Sequence, residues 1–249
     1  EELKGGPVSK SMESCKDPLT IGVLAIQGSF SEHVDIVRAL GFPCTEIRLP
    51  EELKGVHGII FPGGESTTMA IVGESTGIFP ALRNWVQAGK PVWGTCAGMI
   101  LLSDSAIFQR EGGQALVGGL DVEVCRNYFG SQIQSCEMDL SVQAFDEISS
   151  EAHGTQPAAK HSAVFIRAPA IMKCGPSVEV LARVSAAPCR QALQKLTEQG
   201  EVSEGGPRDV IVAARHGALL ATAFHPEFTN DRRWHQLFLQ MVTDSVRGD

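Results

Sequence analysis

A thiol, an imidazole and a carboxylate are enough to build a nucleophile, the base that serves it and the group that orients the base. Cys96 stands in Trp93-Gly94-Thr95-Cys96-Ala97-Gly98, and His225 and Glu227 stand in Phe224-His225-Pro226-Glu227. Cys96 follows an apolar run and has a glycine on either side, the pattern of a nucleophile held at a sharp strand-to-helix turn. A helix starting just after it would offer unpaired N–H groups and a positive dipole end, which favour a thiolate and a developing oxyanion. Read alone, the pentapeptide fits a buried, inert cysteine equally well. His225-Pro226-Glu227 tips the balance. Pro226 is expected to hold the segment extended, so that both side chains point the same way and the carboxylate fixes the imidazole tautomer. A third motif, Phe61-Pro62-Gly63-Gly64-Glu65-Ser66, puts two glycines where backbone N–H groups could meet an oxyanion. The absence of G-x-x-x-x-G-K-[ST] and of a clear G-x-G-x-x-G argues against nucleotide binding.

The elements around these motifs alternate. Residues 20–26, 44–49, 58–61 and 90–95 read as strands, the first a near-continuous apolar run suited to a sheet covered on both faces. Between them, Phe30, Val34, Val37 and Leu40 share one helical face that stops at Gly41, and 78–88 reads as a second helix. Such alternation predicts an open α/β sheet. Further on, 121–125, 133–142, 163–167, 178–182, 210–214 and 219–224 read as strands with few helices between them. The segment 231–246 places Trp234, Leu237, Phe238 and Met241 on one face of a closing helix. The expectation is one doubly wound domain over 19–249 with an antiparallel extension. Residues 1–18 read as a mobile tail, and 149–161 and 186–209 as polar inserts that form surface loops.

Composition narrows the classes. A net charge of −8 without a Lys/Arg-rich run argues against nucleic acid and anionic membranes. No apolar stretch reaches the roughly 18 residues of a membrane span, and EELKGGPVSK lacks the apolar centre of a signal peptide. Seven cysteines, at 15, 44, 96, 125, 136, 174 and 189, are odd in number and show no C-x-x-C pair. That disfavours a disulfide framework or structural zinc and places the chain in the reducing cytoplasm.

Gly94-Thr95-Cys96-Ala97-Gly98 together with His225-Pro226-Glu227 resembles the class I, triad-type glutamine amidotransferases. Four more runs resemble one branch of that family, the glutaminase subunits of pyridoxal 5'-phosphate synthase in their plant and protist-like form. They are Leu24-Ala25-Ile26-Gln27-Gly28-Ser29-Phe30, Pro62-Gly63-Gly64-Glu65-Ser66-Thr67-Thr68-Met69, Arg126-Asn127-Tyr128-Phe129-Gly130 and Val164-Phe165-Ile166-Arg167-Ala168-Pro169. The resemblance implies a flavodoxin-like, open three-layer sheet and hydrolysis of L-glutamine through a thioester on Cys96. His225 would be the base and Glu227 its orienter, with Gly64 and Ala97 supplying oxyanion-hole N–H groups. Gly64, Glu65, Ser66, Arg126, Ile166 and Arg167 would contact glutamine. It implies no metal and no cofactor. It also implies a separate (β/α)8-barrel synthase subunit in a hetero-oligomer, which receives the ammonia, with Gln27 and the 27–30 turn at the interface and little hydrolysis until the subunits dock.

Two departures stand out: Gly130-Ser131-Gln132 where many bacterial members have Gly-Arg-Gln, and the long insert at 186–209. A glutaminase for imidazole or purine synthesis would share the triad but lack the Glu-Ser-Thr-Thr-Met and Phe-Ile-Arg-Ala-Pro runs. A non-catalytic regulatory subunit would tolerate loss of the triad, and a DJ-1-like redox or chaperone protein would not need residues for glutamine.

Overall fold

Four short apolar strands form the centre of the molecule because their side chains are covered on both faces. In the computed structural model, which describes residues 18–107, 113–130, 136–140, 142, 145, 161–201 and 205–248, these are β1 (Ile21–Leu24), β3 (Gly58–Phe61), β4 (Val92–Thr95) and β12 (Leu219–Thr222). All four are buried along their whole length. With β2 (Cys44–Ile47) at the edge they run parallel in the order β2-β1-β3-β4-β12. The register sets Phe61 beside Gly94 and Thr95 beside Thr222. Three neighbouring strands therefore end side by side, and their ends lead into Pro62-Gly63-Gly64, Cys96 and His225. This is the edge at which open α/β sheets build their sites.

Helices fix these ends. α1 (Phe30–Ala39) closes in a Schellman motif, with Phe42 N–H bonded to Val37 O at 3.2 Å and Gly41 N–H to Arg38 O at 2.9 Å. Gly41 takes the positive φ of 88° that this stop requires. α2 (Ser66–Ser75) begins where Glu65 caps it by accepting from Thr68 N–H at 2.6 Å. Gly73 lets α2 close on Phe79 of α3 (Ile78–Gln87). The short α4 (Ala97–Leu102) starts directly after Cys96. α6 (Arg233–Arg247) packs on the same side as α1, where Trp93 sits edge-on to both His33 and His235.

The second half continues the sheet to ten strands: β11 (Arg208–His216), β9 (Ala170–Cys174), β6 (Leu120–Cys125) and β5 (Ser103–Ile107) follow β12, and β10 (Glu179–Ala186) lies along β11. It curls as a mixed sheet, mostly antiparallel, and a separate hairpin of β7 (Cys136–Leu140) and β8 (His161–Phe165) stands beside it. Phe165, Phe224 and Trp234 meet edge to face across this seam, with His161 edge-on to Trp234 and tilted against Phe224, joining the hairpin to the parallel core and to α6.

Three expectations are corrected. The 186–209 insert is not a surface loop: β10 reaches Ala186, and Arg190–Glu198 forms a helix, α5. Ala192 and Leu196, one turn apart, are fully covered, which is the apolar stripe a helix needs to dock. His161 belongs to β8 and is 1% exposed. Ile166-Arg167 lie beyond the end of β8 in a bend, where Arg167 has φ 47°. Helix α2 and strands β5 and β9 were not expected at all. Residues 1–17, 149–160 and Ser131-Gln132 lie outside the described residues.

Candidate active site

Cys96 sits at the junction of β4 and α4 with φ 47° and ψ −101°, a conformation a side-chain-bearing residue adopts only when its surroundings impose it. Its N–H is tied to Thr222 O at 2.8 Å, which locks the end of β4 to the end of β12. The turn needs its glycines for space. A Cβ on Gly94 would lie 2.5 Å from the Gly98 backbone, and one on Gly98 would lie 2.0 Å from Phe61 O. The Cys96 Sγ is 3.9 Å from Ile166 O.

His225 follows β12 and its N–H bonds Val164 O at 2.9 Å, so the β7–β8 hairpin holds it from behind. Its Nδ1 meets Glu227 Oε1 at 2.7 Å, which leaves the other ring nitrogen free to serve Cys96, whose cavity it shares. Pro226 does not hold the segment extended, as expected from sequence. Pro226–Phe228 is one turn of 3-10 helix, and that curl brings the Glu227 carboxylate back under the ring. Phe228 stacks on the outer face of the imidazole at 5.2 Å.

The electrostatics follow from the packing. Burial works to lower the His225 pKa, but the Cys96 charge and hydrogen bond, with the Glu227 carboxylate behind, raise it to about 10. Burial works to raise Glu227, but His33, the His225 bond and the Ser29 hydroxyl bring it down to about 2.

A cavity of about 310 Å³ opens over Cys96. Gln27, Gly64, Glu65, Ser66, Ala97, Arg126, Ile166 and Arg167 all line it, together with Cys96 and His225. Every residue singled out from sequence thus meets at one place, except Glu227, which lies behind His225. Gln27 is part of the cavity wall, its Oε1 accepting from Glu65 N–H at 2.7 Å. Arg126 reaches Glu65 Oε1 at 3.4 Å and Thr67 Oγ1 at 3.3 Å. Glu65 is held below its usual range because N–H and hydroxyl donors of Thr68 and Thr67 outweigh its burial. Asn127, given no role of its own in the sequence reading, lines the same wall with φ 54°. The three non-glycine residues of positive φ among the described residues, Cys96, Asn127 and Arg167, all border this cavity. Among the described residues no three His, Cys, Asp or Glu side chains converge as metal ligands.

Sequence reading placed Ser29 only in the 27–30 interface turn and passed over His33. Ser29 Oγ donates to Glu227 Oε1 at 2.6 Å, and His33 Nε2 stands 3.4 Å from Glu227 Oε2. One signal was available: His33 falls beside Val34 and Val37 on the buried side of α1, where an ionisable group needs a partner.

Residues 23–244 match the SNO glutamine amidotransferase family. The chain belongs to that family. A probable pyridoxal 5'-phosphate synthase subunit from Arabidopsis thaliana is 50% identical over 231 residues, spanning 92% of this chain and 88% of its own. The corresponding subunit of Clavibacter michiganensis is 42% identical over 227 residues, 91% of this chain and 92% of its own. Among solved structures, a glutamine amidotransferase crystal structure at 37% identity superposes with a TM-score of 0.69, covering 90% of this chain and 98% of that one. The α/β fold with its curled mixed sheet is the fold of this glutamine amidotransferase family.

Proposed function

We propose that this chain is the glutaminase subunit of a pyridoxal 5'-phosphate synthase, releasing ammonia from L-glutamine through a thioester on Cys96. One observation carries the reading: Cys96 and His225 leave the ends of adjacent strands and line one cavity, with Glu227 bonded to His225 from behind. The names of the relatives at 50% and 42% identity supply the pathway.

The Cys96 thiolate attacks the side-chain amide carbon, and the oxyanion is held by backbone N–H groups of Gly64 and Ala97. His225 gives its proton to the departing nitrogen, ammonia leaves, and a γ-glutamyl thioester remains. Water then attacks that carbonyl and yields its proton to His225. Collapse of the second tetrahedral adduct frees glutamate and restores the thiolate–imidazolium pair. Glu227 keeps the imidazole in one tautomer throughout. Gly64, Glu65 and Ser66 on one wall and Arg126, Ile166 and Arg167 on the other hold the α-ammonium and α-carboxylate, an arrangement supported by the mixed charge of the lining. The cycle is complete without a metal or organic cofactor.

Ammonia set free in water takes up a proton and ceases to be a nucleophile, so it is useful only when handed directly to a second site. That site belongs to a (β/α)8-barrel synthase subunit, with Gln27 at the meeting of the two chains. The cytosol, where a thiol stays reduced, is the compartment that suits Cys96. The test is glutamate release by this chain, alone and with the synthase subunit, in wild type and Cys96→Ala. Loss of release in the variant, and a rise in rate when the synthase subunit is added, are expected. Unchanged release by Cys96→Ala would end the nucleophile assignment, and a synthase subunit that neither binds nor accelerates would end the pathway assignment.

A further inference from the structure

Glu227 is a carboxylate buried behind the active site, its side chain fully covered. Its Oε1 receives two donors, His225 Nδ1 at 2.7 Å and Ser29 Oγ at 2.6 Å. Its Oε2 makes no hydrogen bond among the described residues and faces His33 Nε2 at 3.4 Å. His33 in turn places Nδ1 3.0 Å from His235 Nε2 on α6, and Thr95 Oγ1 of β4 lies 3.4 Å from His33 Nε2. Both histidines are 0% exposed.

We propose that Ser29 and His33 are positioning residues of glutamine hydrolysis, holding the Glu227 carboxylate so that His225 keeps one tautomer and one aim toward Cys96, with His235 fixing the proton on His33. The inference rests on the triad reading of Cys96, His225 and Glu227. Its chemistry follows from the donor inventory. His33 is wholly buried, and burial holds it below its ordinary range despite the Glu227 charge, which favours the neutral ring with one N–H. Against a carboxylate that proton belongs on Nε2, since a lone pair there would face negative charge. Nδ1 must then accept, and His235 must donate through Nε2. His235, kept neutral by burial, is left with a bare Nδ1, and that atom has no hydrogen-bond partner among the described residues. The opposite assignment would bury an unpaired N–H, the costlier defect.

Ser29 and His33 are one turn apart on the same segment, and Ser29 N–H also binds Gly63 O at 3.0 Å. One stretch of chain therefore touches both the glycine turn and the triad acid. The groups facing His33 are Glu32 on its own helix, Glu227 and His225 from the turn after β12, His235 from α6 and the neutral Thr95 and Trp93 from β4. Nothing else charged reaches Glu227 Oε2 among the described residues.

The experiment compares His33→Leu, His33→Gln and Ser29→Ala in the full chain with wild type and Cys96→Ala. Glutamine hydrolysis gives kcat and KM. Iodoacetamide alkylation of Cys96 against pH gives the window in which the thiolate–imidazolium pair exists, and thermal melting reports the fold. His33→Leu is expected to lower kcat about tenfold with KM unchanged and to narrow the alkylation window at both ends. His33→Gln, whose amide nitrogen can stand where Nε2 stood, is expected to restore most of both. Ser29→Ala is expected to lower kcat severalfold, with a smaller narrowing. An unchanged or widened window in His33→Leu overturns the proposal, as does a fall in melting temperature that His33→Gln repeats without recovering kcat. If Cys96→Ala stays active, the triad reading itself has failed. If Cys96→Ala is dead and the His33 variants match wild type, only the positioning role has.

Discussion

The two walls of the cavity are built differently. Cys96, His225 and the Gly63–Gly64 turn leave the ends of parallel strands that pair in fixed register and are buried on both faces. Arg126, Asn127, Ile166 and Arg167 sit in turns of the antiparallel half, on backbone that bends through positive φ at two of the four positions. The first wall holds reacting atoms on rigid supports, and the second presents side chains and carbonyls on loops. Chemistry that fails with a 1 Å error belongs on the first, whereas recognition that can adjust belongs on the second.

Substitutions can break this comparison. His225→Gln should lower kcat by roughly 10⁴-fold or more while leaving KM near its wild-type value, because in the proposed mechanism it removes the proton carrier and not a grip on substrate. Steady-state glutamate release measures both. Gly63→Ala should cost about 100-fold in kcat, because its Cβ would lie 2.2 Å from His225 Cε1 and push the ring aside. A crystal structure of the variant should show the imidazole displaced from Glu227. On the facing wall the pattern should invert. Arg126→Ala should raise KM by about 10- to 100-fold with kcat changed only severalfold, the loss of the one charge-assisted contact with glutamine proposed for it. If Arg126→Ala lowered kcat as His225→Gln does, the division between the walls would not hold.

The pH dependence of stability sharpens the same contrast. Glu227 is depressed from 4.5 to about 2, so its contribution is complete above pH 4.5 and drains away as pH falls toward 2. His225 is raised from 6.5 to about 10, so its contribution is complete below pH 6.5 and is lost as pH rises through 10. Melting curves of Glu227→Gln should lose the acid slope and flatten the alkaline one. The same scan on Arg126→Ala should keep both. Last, Leu196→Ala in α5 should destabilise the chain by about 2–4 kcal/mol in urea unfolding with KM within a few fold of wild type. The Cys189 N–H bond to Tyr128 O would still hold the turn that carries Arg126.

The same contrast explains what could be read from sequence. Ile21–Leu24, Gly58–Phe61 and Val92–Thr95 announce themselves because strands buried on both faces must be apolar throughout. The chemistry-bearing motifs follow those strands directly, so their convergence was legible too. Helix α2 was not, because Ser66-Thr67-Thr68 and Gly73 are poor helix formers. Its start is set by the Glu65 cap and its course by Phe79 filling the space at Gly73. Strand β5, Ser103-Asp104-Ser105-Ala106-Ile107, is polar and gains its conformation from pairing with β6. Helix α5 was hidden by the polar residues around its two buried anchors. The support of Glu227 was the least legible of all, since Ser29 and Glu227 are 198 residues apart and only the finished fold brings them together.

The central claim concerns one sulfur atom, and trapping the intermediate tests it directly. Full-length chain with its synthase subunit is mixed with glutamine, quenched in acid during turnover, digested and examined by mass spectrometry. The account predicts a γ-glutamyl adduct on the peptide carrying Cys96 and on no other cysteine, absent in Cys96→Ala. Glutamate release without any adduct on Cys96, or an adduct on a different cysteine, would contradict it.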